Sequence, residues 1–195
     1  MGNLMSRIAA AGLLLAAAPL ILVLALGVRI SMGSPVLFRQ RRAGLNGSSF
    51  VMLKLRSMRD SRADDGSLLP DELRVTAIGM FLRRSRLDEL PGLWNIVRGE
   101  LAFVGPRPLL PETIEQLGAR GVERGIVRPG LTGWSQVNGN TLLSLDRKIE
   151  LDLWYVENRN IWLDLQILMR TFAVMIFGER ETRPALKPKG TSDRT

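Results

Sequence analysis

From Ile8 to Val28 the chain runs for 21 residues, IAAAGLLLAAAPLILVLALGV, without a charged or polar side chain, and Arg7 and Arg29 bound the run. As a helix rising 1.5 Å per residue it reaches roughly 31 Å, the thickness of a hydrocarbon core. The run exceeds the apolar part of a secretory leader, which disfavours cleavage. Pro19, near its middle, removes a backbone donor and crowds the carbonyl four residues back, so a kink is expected there. Two readings stay open on the pattern alone: a spanning helix that tolerates a proline, and a helix-break-helix hairpin that enters and leaves on one side. Arg29, Arg39, Arg41, Arg42, Lys54, Arg56 and Arg59 all precede the first acidic residue, Asp60, which puts the body of the chain in the cytoplasm. The opening MGNLMS fits the acylation pattern of Gly2 with Ser6, a match short enough for chance to supply.

After this run the pattern changes period. Ser31 to Pro35 is a turn cluster. Val36 to Gln40 and Phe50 to Leu55 read as strands around AGLNGSS, with Asn46-Gly47 as the turn signal, and predict a hairpin with basic residues on one face. Asp60 to Pro70 is polar and punctuated by Gly and Pro, hence a mobile surface loop. Val75 to Arg84 has helical spacing, and Thr113 to Arg124 predicts a short helix. Gly99 to Pro111 is too rich in Gly and Pro for a helix, and Pro129 to Asn140 reads as a loop. Leu145 to Tyr155 and Ile161 to Phe177 are helical; the second is strongly apolar yet carries Asp164 and Arg170, which favours an interfacial or core-packed helix over a spanning one. From Arg180 the composition is that of a disordered tail.

Composition narrows the chemistry. The 195 residues contain no Cys and no His, which removes disulfides, thiolate nucleophiles, Cys/His zinc sites and every imidazole relay. Carboxylates, hydroxyls, amines and guanidinium groups remain. A net charge of +8 points to anionic partners. Nucleic acid is not the expected partner, because the one Tyr, six Phe and four Trp lie mostly inside apolar runs rather than among basic residues. Basic residues beside a membrane segment suit acidic headgroups and phosphorylated lipid instead.

Two Asp-Glu dipeptides stand out, Asp71-Glu72 and Asp88-Glu89. The first follows a polar loop and Pro70, as a solvated helix start does. The second lies in RRSRLDELPGLWN, where the ring of Pro91 prevents a helix from including the Leu87 carbonyl. A helix through Leu93, Trp94 and Ile96 should therefore begin near residue 88, with Asp88 at or beside its N-cap. An ionised Asp at such a position, with Arg83, Arg84 and Arg86 before it, is what attack on a phosphoryl group needs; a capping Asp among solubilising arginines would look the same. Further candidates for binding phosphate are Lys54 and Arg56 on the second strand, Arg107 held between two prolines in Gly105-Pro106-Arg107-Pro108, and Arg128 before Pro129.

The blocks SPVLFRQRRAG, FVMLKLRSM, IGMFLRRSRLDELPGLWNIVRGELAFVGPRPL, RPGLTGWSQVNGN and LDLWYVENRNIWLDLQIL, in this order, resemble the small monotopic phosphoglycosyl transferases, the bacterial sugar transferase family, over about residues 5 to 178. The resemblance implies transfer of a sugar-1-phosphate from a UDP-sugar to undecaprenyl phosphate at the cytoplasmic face of the bacterial inner membrane. UMP is released, Mg²⁺ assists, and the product opens a lipid-linked glycan pathway. It implies that Asp88 is the covalent nucleophile and a metal ligand, with Glu89 as its partner. Lys54, Arg107 and Asp164 match positions of the family's site. The hydrophobic element becomes a re-entrant helix broken at Pro19. Two departures are visible: Ala18 where the family has Ser, and Asn140 where it commonly has Arg after Asn138-Gly139.

The expected class is thus α+β and mainly helical. A re-entrant membrane helix covers 1–30, a compact cytoplasmic domain with amphipathic interfacial helices and a small β-hairpin covers 31–179, and a disordered tail covers 180–195. The competing expectation is a membrane-anchored scaffold that binds anionic lipid without catalysis.

Overall fold

The computed structural model describes residues 2–182, which divide into two compact units. Unit 1 combines the chain up to Gln40 with Met52–Arg98; unit 2 combines Arg41–Val51 with the chain from Gly99 onward. The apolar run belongs to unit 1, and the division passes through the hairpin.

In unit 1 the apolar run forms α1, Gly2–Met32, a single helix that continues through Pro19. Pro19 lies inside this helix without ending it: its ring deletes one ladder hydrogen bond, and the ladder resumes within a turn. One stripe of α1, including Ala10, Leu24 and Val28, is buried, while Leu15, Leu22, Val23 and Ile30 on the remaining surface are exposed. By length and composition α1 could cross a membrane. Its two ends are tied to the unit: Arg7 Nε donates to the Val97 carbonyl at 2.7 Å, and Leu24 and Val28 pack with Leu55 and Leu82.

Strands β1 (Leu37–Ala43) and β2 (Ser49–Leu55) pair as a hairpin. Its turn falls on Asn46 and Gly47, both with left-handed φ, 52° and 76°, which Asn and Gly adopt most cheaply. β1 runs three residues beyond its expected end. Asp71 and Glu72 open a four-residue helix, α2 (Asp71–Arg74), with both side chains exposed, as their context predicts. Helix α3 (Ala77–Ser85) is capped by Thr76, whose Oγ1 accepts from the Gly79 N–H at 3.1 Å. Gly79 is required by close approach, since a Cβ there would lie 1.9 Å from the Ser57 carbonyl oxygen. After α3 come a 3-10 turn, Leu87–Gly92, and the short helix α4 (Leu93–Arg98).

Unit 2 contains what the sequence pattern hid. Strands β3 (Ala102–Val104) and β4 (Gly130–Thr132), both read as loop, pair in parallel with Ala102 opposite Gly130 and Val104 opposite Thr132. A Cβ on Gly130 would meet the Gly105 nitrogen at 2.1 Å, so these glycines mark backbone packed on backbone. The single helix expected over 113–124 is two, α5 (Pro111–Gln116) and α6 (Ala119–Arg124), because Gly118 takes φ 54° between them. Within the expected loop 129–140, Trp134–Val137 forms helix α7. Helices α8 (Leu145–Asn158) and α9 (Ile161–Phe177) start at Ser144 and Asn160, whose side chains cap them. The core joins Val104, Trp134, Val137, Leu151, Tyr155, Leu163 and Ile167. α9 buries Leu163 and Ile167 in this core but exposes Trp162, Met169, Phe172 and Ile176. Of the expected tail, residues from 183 onward lie outside the described residues.

Candidate functional site

The Asp88-Glu89 dipeptide is mounted on a corner of unit 1. Arg86 ends α3 in the left-handed conformation, φ 56° and ψ 17°, and so turns the chain into the 3-10 segment that carries both carboxylates in its first turn. The expected helix from residue 88 is corrected here. α-Helical bonding begins only at Leu93, and Pro91 is accommodated in the 3-10 turn, which needs no bond from its nitrogen to Leu87. Arg86, Asp88 and Glu89 are all half-buried.

Lys54 on β2 reaches this turn: its Nζ donates to Glu89 Oε1 at 2.6 Å, with the two side chains 16% and 12% exposed. That shielding makes the pair stronger than a surface bridge. Lys54→Met should therefore strand a mostly buried carboxylate and lower stability by about 2 kcal/mol, less than opening a fully buried pair. Denaturant unfolding of the variant checks this; an unchanged midpoint would contradict it.

Arg56, expected at a phosphate, donates to three backbone carbonyls. Its Nη2 donates to the Met32 carbonyl and, at 3.0 Å, to that of Gly33, and its Nη1 to that of Ser34 at 3.1 Å. It caps the C-terminal carbonyls of α1, where a cation also suits the helix dipole.

The remaining expected residues lie in unit 2. The loops carrying Arg107 and Arg128 are pressed together: the Gly130 N–H donates to the Pro106 carbonyl at 2.9 Å, and a Cβ on Gly105 would lie 2.4 Å from the Arg128 carbonyl oxygen. Arg128 Nε donates to the Gly99 carbonyl at 2.9 Å. Beside both loops is a cavity of about 270 Å³ whose walls include Pro106, Ile114, Arg124, Val127, Pro129 and the hairpin residue Gly44. Asp164, on the first turn of α9, accepts from the Tyr155 hydroxyl at 2.7 Å. Burial pushes the Asp164 carboxyl above the usual carboxylate range, against the pull of that hydrogen bond and of Arg159. Burial, then Asp164, likewise pushes the Tyr155 phenol up.

A carboxyl that titrates higher folded than unfolded stabilises fully below the unfolded value and loses that contribution as pH rises through the folded one. The stability lost above about pH 4 in the wild type should therefore be smaller in Asp164→Asn. Urea midpoints of both proteins across acid pH test this, and parallel curves would refute it.

Sequence reasoning missed a buried network. Arg124 donates through Nε and Nη2 to Asp152 Oδ2 at 2.8 and 2.7 Å, and Ser135 Oγ donates to Asp152 Oδ1 at 2.7 Å. Arg124 Nη2 also donates to the Arg107 carbonyl, which ties the Gly105–Pro108 loop to the network. Burial pushes the Asp152 carboxyl up; Arg124 and Ser135 pull it down. The signal was present: Asp152 stands at helical spacing between Ile149 and Val156, on an apolar face, where a carboxylate must find a cation.

For a metal, no cluster of three or more acidic side chains occurs among the described residues. A dedicated cage is thus missing, but Mg²⁺ is commonly held by one or two carboxylates together with substrate phosphates. Asp88 suits that lesser demand.

Residues 1–178 match the family model described as bacterial sugar transferase. The chain is 45% identical over 152 residues to the uncharacterized sugar transferase EpsL of Bacillus subtilis, covering 78% of this chain and 75% of that protein. It is 41% identical over 174 residues to a UDP-glucose:undecaprenyl-phosphate glucose-1-phosphate transferase of Xanthomonas campestris pv. campestris, covering 83% of this chain but 36% of the relative. A UDP-N-acetylgalactosamine-undecaprenyl-phosphate N-acetylgalactosaminephosphotransferase of Aeromonas hydrophila is 33% identical, with 82% and 40% covered. The chain thus spans about a third of the length of several relatives it matches. With the family model matched over nearly all of the described residues, the chain belongs to the bacterial sugar transferases.

Proposed function

We propose that this chain transfers a sugar-1-phosphate from a UDP-sugar to undecaprenyl phosphate and releases UMP, through a covalent intermediate on Asp88. The observation that carries the reading is the mounting of Asp88 and Glu89 together in the first turn of the 3-10 corner that the left-handed Arg86 sets up, with Glu89 held by Lys54 at 2.6 Å. In the first step an Asp88 carboxylate oxygen forms a bond to the sugar-bearing phosphorus, and the bond from that phosphorus to the bridging oxygen breaks, with the electron pair leaving on UMP. In the second step an oxygen of undecaprenyl phosphate attacks the same phosphorus and Asp88 leaves as carboxylate. The lipid phosphate is mostly ionised at neutral pH, so neither step demands a strong general base. Mg²⁺, held by Asp88 when bound, would neutralise charge on the diphosphate. In unit 1 Arg86 is the guanidinium group assigned to a phosphate and Arg56 supports α1; in unit 2 Arg107 and Arg128 are the guanidinium candidates.

The wide exposed apolar surface of α1 and that of α9 support a membrane location. We assign a re-entrant course to α1, with the continuous helix bent where Pro19 deletes a ladder hydrogen bond, so that both ends face the cytoplasm. UMP release from a panel of UDP-sugars, with Mg²⁺ and undecaprenyl phosphate, tests the reaction: release with a particular sugar supports it, and release with none contradicts it.

A further inference from the structure

Unit 2 holds a cavity of about 270 Å³ to which the proposed reaction assigns no occupant. Most of its wall is apolar: Pro106 and Pro129 supply rings, and Ile114 and Val127 supply branched side chains. Main-chain contacts build this wall in advance. The Asn46 N–H of the hairpin turn donates to the Gly125 carbonyl at 2.8 Å, and the Gly130 N–H to that of Pro106 at 2.9 Å, so little ordering is left for a ligand to impose. The volume lies just below the roughly 300–1,000 Å³ of sites that bury a drug-sized molecule, which suits one ring better than a whole nucleotide-sugar.

Two polar side chains interrupt the wall. Arg124 is 4% exposed, and its Nε and Nη2 are committed to Asp152 and to the Arg107 carbonyl; none of these bonds uses Nη1, which carries two further N–H groups. Asn46 is exposed at the rim, and its carboxamide both donates and accepts. Charge selects the ligand. Asp152 already balances Arg124 inside the protein, so an anion in the cavity would be a buried charge without a counter-ion. A neutral carbonyl, by contrast, receives a charge-assisted bond from the guanidinium without bringing charge into an apolar site. A flat ring that bears carbonyls and an N–H meets these demands together: apolar faces for the prolines, a carbonyl for Arg124, and a donating and accepting edge for Asn46.

We propose that this cavity is a base pocket that takes the uracil ring of the UDP-sugar, with Arg124 and Asn46 as its polar contacts. The identity of the ring rests on the proposed reaction; the fit of the cavity to a neutral, carbonyl-bearing heterocycle does not. The buried Arg124–Asp152 pair thereby has a second task besides holding the Gly105–Pro108 loop: it presents a guanidinium whose charge is already balanced, which favours a base over a phosphate at this position. An apolar lipid segment is the competing occupant of such a wall, and it makes no use of Arg124 or Asn46.

The test is binding of UMP to the full chain in detergent, by calorimetry, with wild type, Ala43→Leu and Asn46→Gly. Ribose 5-phosphate serves as the probe that lacks the base, and farnesyl phosphate as the lipid probe. Wild type should bind UMP at least about tenfold more tightly than ribose 5-phosphate. Ala43 lines the cavity at the end of β1, so Ala43→Leu puts a larger side chain where the ring would lie. It should bring UMP down to the affinity of ribose 5-phosphate without lowering the melting temperature, because the added carbons fill an apolar void. Asn46→Gly preserves the left-handed turn and removes only the carboxamide, so UMP should weaken about fivefold with ribose 5-phosphate unchanged; this variant carries the test if Ala43→Leu unfolds. Equal affinity for UMP and ribose 5-phosphate, or UMP binding indifferent to both variants, would overturn the proposal. So would a loss of farnesyl phosphate binding in Ala43→Leu with UMP unaffected, since that identifies a lipid pocket. UDP-sugar turnover by a wild type whose UMP binding ignores both substitutions defeats the pocket and leaves the reaction standing. Base-dependent UMP binding without transfer of any sugar defeats the reaction and leaves the pocket.

Discussion

Asp88→Asn is expected to lower UMP release by about four to six orders of magnitude while leaving the fold intact, because it removes the nucleophile without changing side-chain volume. Asp88 is only half-buried at a 3-10 corner, so the amide is accommodated there and the loss reads chemistry rather than unfolding. Asp88→Glu keeps the charge but advances the attacking oxygen by about a methylene, and misplacement on that scale costs at least about a hundredfold. The pair of variants discriminates between the two readings of the sequence. A scaffold that only binds anionic lipid would tolerate Asp88→Glu with no measurable effect, whereas a covalent transferase would not.

Asp152→Ala should produce the largest loss of stability, about 3–5 kcal/mol, the usual consequence of removing one partner from a buried ion pair. Asp152 is 1% exposed and Arg124 4%, and the carboxylate accepts two bonds from Arg124 and one from Ser135. The variant leaves the guanidinium buried without its counter-ion. Because Arg124 also holds the Arg107 carbonyl, the Gly105–Pro108 loop should loosen as well, so activity should fall before the protein unfolds. Replacing both charges, as in Arg124→Met/Asp152→Leu, should recover part of the stability, since neither ion is then left unpaired. Guanidinium unfolding monitored by circular dichroism gives the comparison; a loss below about 1 kcal/mol for Asp152→Ala would contradict the structure's account of the network.

The elements that were legible in the sequence are those whose own residues specify them. The apolar run became α1, Asn46-Gly47 became the hairpin turn, and Ile161–Phe177 became α9 with its bounds unchanged. Each carries a local signal strong enough to stand without tertiary context. The parallel pair β3–β4 was illegible for the opposite reason. Three-residue strands at 102–104 and 130–132 have no periodicity to show, and the glycines that read as loop are there because the strands' backbones touch. Gly118 split a helix that spacing alone joins, since one residue with φ 54° leaves no trace in hydrophobic periodicity.

The site was legible in part. Asp88 and Glu89 stood out once Pro91 limited where a helix could begin, yet the 3-10 geometry and the left-handed Arg86 depend on how α3 ends. Lys54 was singled out for phosphate and was found on Glu89, a cross-chain pairing that spacing does not encode. Arg56 donates to carbonyls at the end of α1, a pairing that spacing does not encode, since the sequence does not say which helix end lies beside which strand. Asn140, a departure from the family pattern, is one of the donors to Glu179.

The most direct test of the covalent mechanism is to mix the protein with a UDP-sugar it accepts and Mg²⁺ in the absence of undecaprenyl phosphate, and to record both UMP and the intact mass of the chain. A covalent mechanism gives one equivalent of UMP per active chain and a mass increase of one sugar-phosphate that maps to the peptide containing Asp88. UMP that appears only after undecaprenyl phosphate is added, with no mass increase at any time, would show a single-step transfer and contradict it.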